Sequence, residues 1–278
     1  MTWLETAGAA VAVGLVYSTV ISLPAPRRSD GPRPDERSRS CRPGWLPSFL
    51  SGCLFALAVT PLVASLHLST PGLILALWSL LFVLGFLLSM IEAIAFADGP
   101  SPVRVRDIVG AAAAAGVAAS VAAFLIRAPT SGSLLENFGR WIDAFGATRL
   151  AVRLLGTAVA FMVAYCVIGS LTWRFVRPYY EDPKLGLRLR IPSGPRVILL
   201  QLGRGLLAIL ALSPLLASSS VHGFDGWVRF SLALAVTSGV IPLLGAAGWP
   251  TYLRVVHGVE IVVFDLVYAF ALWRILEL

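Results

Sequence analysis

The sequence predicts an all-α integral membrane protein, a polytopic helical bundle of about eight transmembrane helices plus one interfacial amphipathic helix. Hydrophobic residues make up 57% of the 278 residues and charged residues only 13%. A soluble globular domain carries roughly 25% charged residues, so the chain belongs to the membrane class. Its apolar runs approach or exceed the roughly 18 residues that cross a hydrocarbon core, and they lack the period-two alternation of a transmembrane β-barrel.

The chain forms a single transmembrane domain. We predict spans at residues 3–23, 45–66, 71–97, 107–126, 149–175, 197–216, 227–246 and 252–273. Span 1 has no Lys or Arg in its N-terminal flank, which favours an uncleaved helix over a signal peptide. Span 7 is short, and span 1 is the candidate for loose packing. Span 4 is rich in Ala and Gly, which lets backbones approach closely, so we expect it at the centre of the bundle.

Residues 133–146 form the clearest amphipathic pattern between the spans. An apolar side recurs at helical spacing: Leu134, Leu135, Phe138, Trp141, Ile142 and Phe145. Ser133 and Glu136 have the spacing of a capping box, and Asn137 lies on the polar side with Arg140 and Asp143. The segment is too short to span, so we predict a helix in the membrane interface, with docking of a protein partner as an alternative.

Basic residues predict the orientation of the chain. The linker at residues 24–45 holds six arginines, and a second basic loop follows span 5. Placing these loops in the cytoplasm puts both termini outside, in a membrane of the cytoplasmic type. The net charge of +7 is explained by this topology, so no nucleic-acid partner is expected. The expected partners are anionic lipid headgroups at the Arg-rich loops and possible protein subunits.

Span 8 carries polar residues where a helix facing lipid has none. The stripe consists of Arg254, His257, Glu260, Asp265 and Tyr268. Their spacing confines them to an arc of roughly 140° on one helix face, which must face other helices or water. Depth arithmetic at about 1.5 Å per residue brings Glu92 of span 3, and Gln201 and Arg204 of span 6, to the layer of His257 and Glu260.

Three interpretations of this polar cluster stay open. Arg204 and Glu260 would form a structural ion pair, with His257 and Gln201 completing its hydrogen bonds. Alternatively, Glu92, His257, Glu260 and Asp265 would line a path for a proton or a substrate. A metal site from His257, Glu260 and Glu92 is the third, but a His-x-x-Glu pair is a weak motif and we expect no bound metal or cofactor.

Three functions are compatible with these patterns. The first is transport of a small solute or ion along a polar path between spans 3, 6 and 8. The second is a non-catalytic membrane subunit or scaffold of a larger complex. The third is an intramembrane enzyme using His257 and Glu260, although no nucleotide-binding, zinc-protease or serine-hydrolase motif is present. Asp265 favours transport, because it is expected near the middle of the bilayer without an obvious basic partner.

Overall fold

The computed structural model describes residues 2–22, 44–96, 103–126, 132–181, 190, 192–246 and 249–276. Within them, eight helices are long and apolar enough to cross a membrane. In order these spans are Trp3–Ser22, Trp45–Val63, Thr70–Phe96, Val105–Ile126, Ala147–Glu181, Gly194–Ser218, Gly223–Gly245 and Thr251–Leu276. The prediction of an all-α membrane bundle is confirmed. Most of the predicted basic linker, residues 24–43, lies outside the described residues.

Spans 1 and 2 pack closely through two glycines. A Cβ atom on Gly52 would lie 2.8 Å from Cα of Gly14, and one on Gly14 would lie 2.5 Å from Sγ of Cys53. The backbones therefore meet at a distance that only glycine permits. Span 1 is not loosely packed along this seam.

Span 4 lies at the side of the bundle, and the prediction that it is central is wrong. One face, which includes Ala115, Ala118 and Ala122, is buried, and the indole N–H of Trp78 in span 3 donates to the carbonyl of Ala112 at 2.9 Å. On the other face Val109 and Phe124 are exposed. The small residues of span 4 thus allow close packing on one face only, and the other face is exposed. The most buried spans are spans 2 and 6.

Spans 3 and 7 each contain a π-helical segment, at Leu80–Leu87 and at Ala235–Val240. The two segments touch, because a Cβ atom on Gly85 would lie 3.1 Å from the carbonyl oxygen of Thr237. In span 7 the widened turn is followed by Pro242, which has no N–H to donate to the carbonyl four residues earlier. Segments of this kind occur frequently at functional sites.

The end of the bundle that carries both chain termini, called here the terminal end, is held by loop hydrogen bonds. Leu66 and Ser219 form an isolated antiparallel bridge, in which the N–H of His67 donates to the carbonyl of Ser218 at 2.9 Å and that of Ser220 to Ser65 at 3.0 Å. The opposite end, called the basic-loop end, carries the arginine-rich connections.

The amphipathic helix, Leu134–Phe145, packs on the terminal end. Asn137 was expected on its polar side, but the side chain is 1% exposed and donates to the carbonyl of His67 at 2.7 Å and to Oγ of Ser218 at 2.8 Å. Leu135 and Ile142 of the predicted apolar side are exposed instead. The side-chain amide of Asn137 thus links the amphipathic helix to His67 and Ser218 at the terminal end. Ser133 stands at its N-cap, but its side chain makes no capping hydrogen bond, so the predicted capping box does not form.

Candidate functional site

The polar stripe of span 8 faces neighbouring helices. Asp265 and Tyr268 are each 1% exposed, and His257 and Glu260 are half-buried. The opposite face of the helix is exposed and consists of the valines Val255, Val259, Val263 and Val267. Apolar side chains at a spacing of four residues form a continuous surface suited to lipid, so the charges are directed into the bundle.

An ion pair joins spans 3 and 6. Nη2 of Arg204 lies 2.9 Å from Oε2 of Glu92, and Nη1 of Arg204 donates to Oε1 of Gln201 at 2.8 Å. The hydroxyl of Tyr165 in span 5 donates to the other carboxylate oxygen of Glu92 at 2.6 Å. Both oxygens of this carboxylate are therefore partnered, as a buried charge requires. We call Glu92, Tyr165, Gln201 and Arg204 the ion-pair layer.

The prediction that Arg204 pairs with Glu260 is wrong. Glu260 contacts His257 one turn earlier on its own helix, with Nδ1 and Oε2 3.0 Å apart, and its other oxygen approaches Gly169 of span 5. Glu92 and Glu260 were both expected at the depth of Arg204. The packing of the helices directs the side chain of Arg204 toward Glu92 of span 3. The carboxylate of Glu260 instead contacts the imidazole of His257. Gln201 holds the place expected for it beside Arg204.

Tyr165 is a member of the layer that sequence reasoning left out. A tyrosine deep in an apolar span carries a hydroxyl that needs a partner, and this was the available signal. Its ring also lies near the guanidinium of Arg204, with Cζ 5.6 Å from the ring centroid, and Phe161 lies one turn away at 5.9 Å. The cation is thereby flanked by two aromatic rings.

Asp265 lies in a second cluster, on spans 7 and 8. Oγ of Ser238 is 2.7 Å from Oδ2 of Asp265 and 3.0 Å from the carbonyl oxygen of Leu234. The serine thus bonds back to its own helix and also reaches Asp265 of the neighbouring span, a contact that the apolar pattern of span 7 does not indicate. In the described part of the chain no cationic side chain forms an ion pair with Asp265.

Two further buried hydroxyl groups lie on the same two spans. Tyr268 lies one turn beyond Asp265, and Thr237 precedes Ser238 in the π-helical segment. Both hydroxyls are buried without a hydrogen-bond partner among the described residues. We call Asp265, Ser238 and Tyr268 the carboxylate pocket. It offers oxygen atoms alone, from one carboxylate and two hydroxyls, whereas the side chain of Thr237 lies against Gly85 of span 3.

Phe161 of span 5 is a neighbour of both polar clusters. Its ring meets that of Tyr268 edge to face, with centroids 5.1 Å apart, and its other neighbours include the guanidinium of Arg204. Only 3% of Phe161 is exposed. The buried ring of Phe161 thus lies next to a member of each cluster.

Arg254, the remaining member of the predicted cluster, lies apart from both groups. Its Nη2 is 3.4 Å from Oγ1 of Thr251 in the first turn of span 8. No group of three or more His, Cys, Asp or Glu side chains in the described ranges is arranged to hold a metal ion. A cavity of about 620 Å³ opens beside Arg204, but its lining includes none of Glu92, His257, Glu260 and Asp265.

Comparisons of the chain with protein-family models, with curated proteins and with solved structures find no match. The fold and the two polar clusters are therefore the basis for assigning a function. The chain is a multi-pass helical membrane protein with an ion-pair layer and a separate buried carboxylate.

Proposed function

We propose that this protein transports a small cation, in the simplest case a proton, along the polar groups between spans 3, 6 and 8, and that Asp265 binds it. The observation that carries the proposal is the carboxylate itself, 1% exposed and held by a serine hydroxyl. An ionised carboxylate inside a membrane protein costs several kcal/mol unless a cation neutralises it. A transported proton or metal cation meets that requirement.

The geometry at Ser238 suits both states of a carboxylate that gains and loses a proton. Its single hydroxyl proton is within reach of Asp265 and of the Leu234 carbonyl. When Asp265 is ionised, the hydroxyl donates to it. When Asp265 is protonated, the carboxyl O–H donates to Oγ of Ser238, and the hydroxyl turns to Leu234. Neither state leaves the pair without a hydrogen bond.

The backbone around the carboxylate pocket supports the same function. Transporters bind their ions where a membrane helix departs from regular geometry, because such turns give polar atoms that a regular helix keeps paired. Ser238 and Thr237 both lie in the π-helical segment of span 7, against the π-helical segment of span 3. The buried hydroxyl of Tyr268 is a hard oxygen ligand for a cation.

The ion-pair layer would continue the path toward the basic-loop end. Phe161 lies next to both the layer and the carboxylate pocket, and movement of this ring would connect the two clusters. Beside the layer, His257 and Glu260 of span 8 provide a further pair of groups that can exchange protons.

The test is cation flux in vesicles that contain the full chain and a pH-sensitive dye inside. A pH gradient is imposed, and proton entry is compared between the wild-type protein, Asp265→Asn and the control Asp225→Asn. Asp225 is an exposed residue at the start of span 7, where it pairs with Arg229. We expect Asp265→Asn to lower the flux at least ten-fold and Asp225→Asn to leave it unchanged. Wild-type flux in a folded Asp265→Asn protein would refute the proposal; a second arm with ²²Na⁺ distinguishes protons from sodium.

A second candidate function follows from the completeness of the ion-pair layer. Groups that satisfy one another can act purely as a register device between helices. The chain would then be a membrane subunit, with the exposed Leu135 and Ile142 of the amphipathic helix available to a partner. This alternative predicts no flux from the wild-type protein in any arm of the vesicle experiment.

A further inference from the structure

The cavity of about 620 Å³ lies where span 3 ends and span 6 begins, at the basic-loop end. Its walls are aliphatic, with Ile91 from span 3 and Leu199 and Leu207 from span 6. Leu199 is 72% exposed and Leu207 is 37% exposed, so the groove opens along the outer surface of the bundle. In a membrane this surface faces the acyl chains of lipid.

Three arginines line the same cavity, namely Arg190, Arg196 and Arg204. Arg190 and Arg196 are exposed at its mouth, and the backbone N–H of Arg190 donates to the carbonyl of Phe96 at 2.8 Å, which holds this residue against the end of span 3. Arg204 forms the inner wall. It is 8% exposed, and its Nε has no hydrogen-bond partner among the described residues.

The start of span 6 adds to this positive charge. The helix begins at Gly194, and Ser193, its N-cap residue, lines the cavity. The side chain of Ser193 makes no capping hydrogen bond, so it does not pair the N–H groups of Gly194 and Arg196 in the first turn, where Pro195 has no N–H. Within the described part of the chain, no Asp or Glu lines the cavity. The carboxylate of Glu92 offsets the charge of Arg204, and Arg190 and Arg196 are the two further cations of the lining.

We propose that this cavity binds one anionic phospholipid, with the phosphate among Arg190, Arg196 and the N-terminus of span 6 and an acyl chain along Leu199 and Leu207. The charge selects an anion, and an aliphatic groove open to the surrounding lipid selects an amphiphile over a free ion. Basic pockets between membrane helices are established headgroup sites. The site is separate from Asp265 and does not depend on transport.

Binding is measured on the purified full chain in mild detergent, by titration with short-chain phosphatidylglycerol, with phosphatidylcholine of the same chain length and with inorganic phosphate. We expect phosphatidylglycerol to bind at least ten-fold more tightly than either of the others. Equal affinity for the two lipids would remove the role of charge, and phosphate binding as tight as that of phosphatidylglycerol would make the cavity a site for free anions; either result overturns the proposal.

A double variant and its matched control locate the headgroup site. Arg190→Gln with Arg196→Gln should weaken phosphatidylglycerol binding at least ten-fold. Arg104→Gln with Arg106→Gln removes the same charge from the same end of the bundle, outside the cavity lining, and should change binding less than two-fold. An equal loss in both double variants would mean attraction to the basic surface as a whole, and would contradict a defined site.

Two glycine variants test the shape of the groove without changing any charge. Gly203 lines the cavity, and a Cβ atom there meets nothing within 4 Å, so Gly203→Phe fills the groove without a clash at the backbone. Gly110→Phe is the control, because a Cβ atom on Gly110 also meets nothing within 4 Å and Gly110 is not part of the lining. Phosphatidylglycerol binding should fall in the first variant alone, and unchanged binding in Gly203→Phe would refute the proposal.

Discussion

The carboxylate of Glu92 lies 2.9 Å from the guanidinium of Arg204, and this ion pair ties span 3 to span 6 inside the bundle. The side chains are 25% and 9% exposed, so water screens the pair little. Tyr165 and Gln201 complete its hydrogen bonds. The net contribution of such a pair to stability is smaller than the cost of removing one partner, since that removal leaves the other charge without its counter-charge.

We predict that Arg204→Gln and Glu92→Gln each lower the free energy of unfolding by about 3–5 kcal/mol, because each strands one buried charge. The double variant should lose less than the sum of the two, since no unpaired charge remains. Unfolding of the purified proteins in mixed micelles measures this cycle. Additive losses would show that the two side chains do not interact.

The close contact between spans 5 and 6 is tested at Gly205. A Cβ atom there would lie 2.5 Å from the carbonyl oxygen of Ala158, and a backbone atom cannot move aside cheaply. We expect Gly205→Ala to lower the unfolding free energy by about 1–3 kcal/mol, the usual cost of overpacking. Gly203→Ala is the matched control, because a Cβ atom on Gly203 meets nothing within 4 Å. Equal unfolding midpoints for the two variants would exclude this contact.

The amide of Asn137 is expected to hold the terminal end together. Asn137→Ala leaves the carbonyl of His67 and the hydroxyl of Ser218 without this donor, and stranded buried groups cost about 1–3 kcal/mol. Asp143→Ala changes an exposed residue of the same helix and should stay within about 0.5 kcal/mol of wild type. Thermal unfolding in detergent compares the two, and an Asn137→Ala protein as stable as Asp143→Ala would contradict the anchoring role.

The hydrogen bond from Ser238 is expected to affect cation binding at Asp265. Ser238→Ala removes a hydrogen bond to a charged group, worth about 1.5–3 kcal/mol, so we expect cation flux in vesicles to change by about ten-fold or more. Ser170→Ala is the control, since the hydroxyl of Ser170 donates to the carbonyl of Cys166 in its own helix. Identical flux in both variants would separate Ser238 from the transport step.

Several features of the fold could be read from the residues alone. Eight apolar runs predicted eight spans, because the length of a hydrophobic run and the thickness of a hydrocarbon core are directly comparable. The stripe on span 8 was correctly expected to face other helices, because helical periodicity is a local property and charges avoid lipid.

Other features depended on how the helices are turned about their axes. The depth of a residue along a span follows from the rise per residue. Depth alone, however, placed two carboxylates, Glu92 and Glu260, close enough to pair with Arg204. Rotation of the helices selected Glu92. The contact of Ser238 with Asp265 likewise joins residues of neighbouring spans through a π-helical turn, which the apolar pattern of span 7 does not reveal.

The class of protein, the number of spans and the inward direction of the polar stripe thus follow from the residues alone. The partner of each buried charge, the peripheral place of span 4 and the burial of Asn137 emerge only from the way the helices pack. The physical reason is the range of the forces involved. Hydrophobicity and helix periodicity act within a segment, whereas ion pairs and hydrogen bonds depend on ångström distances between segments that distant parts of the chain set together.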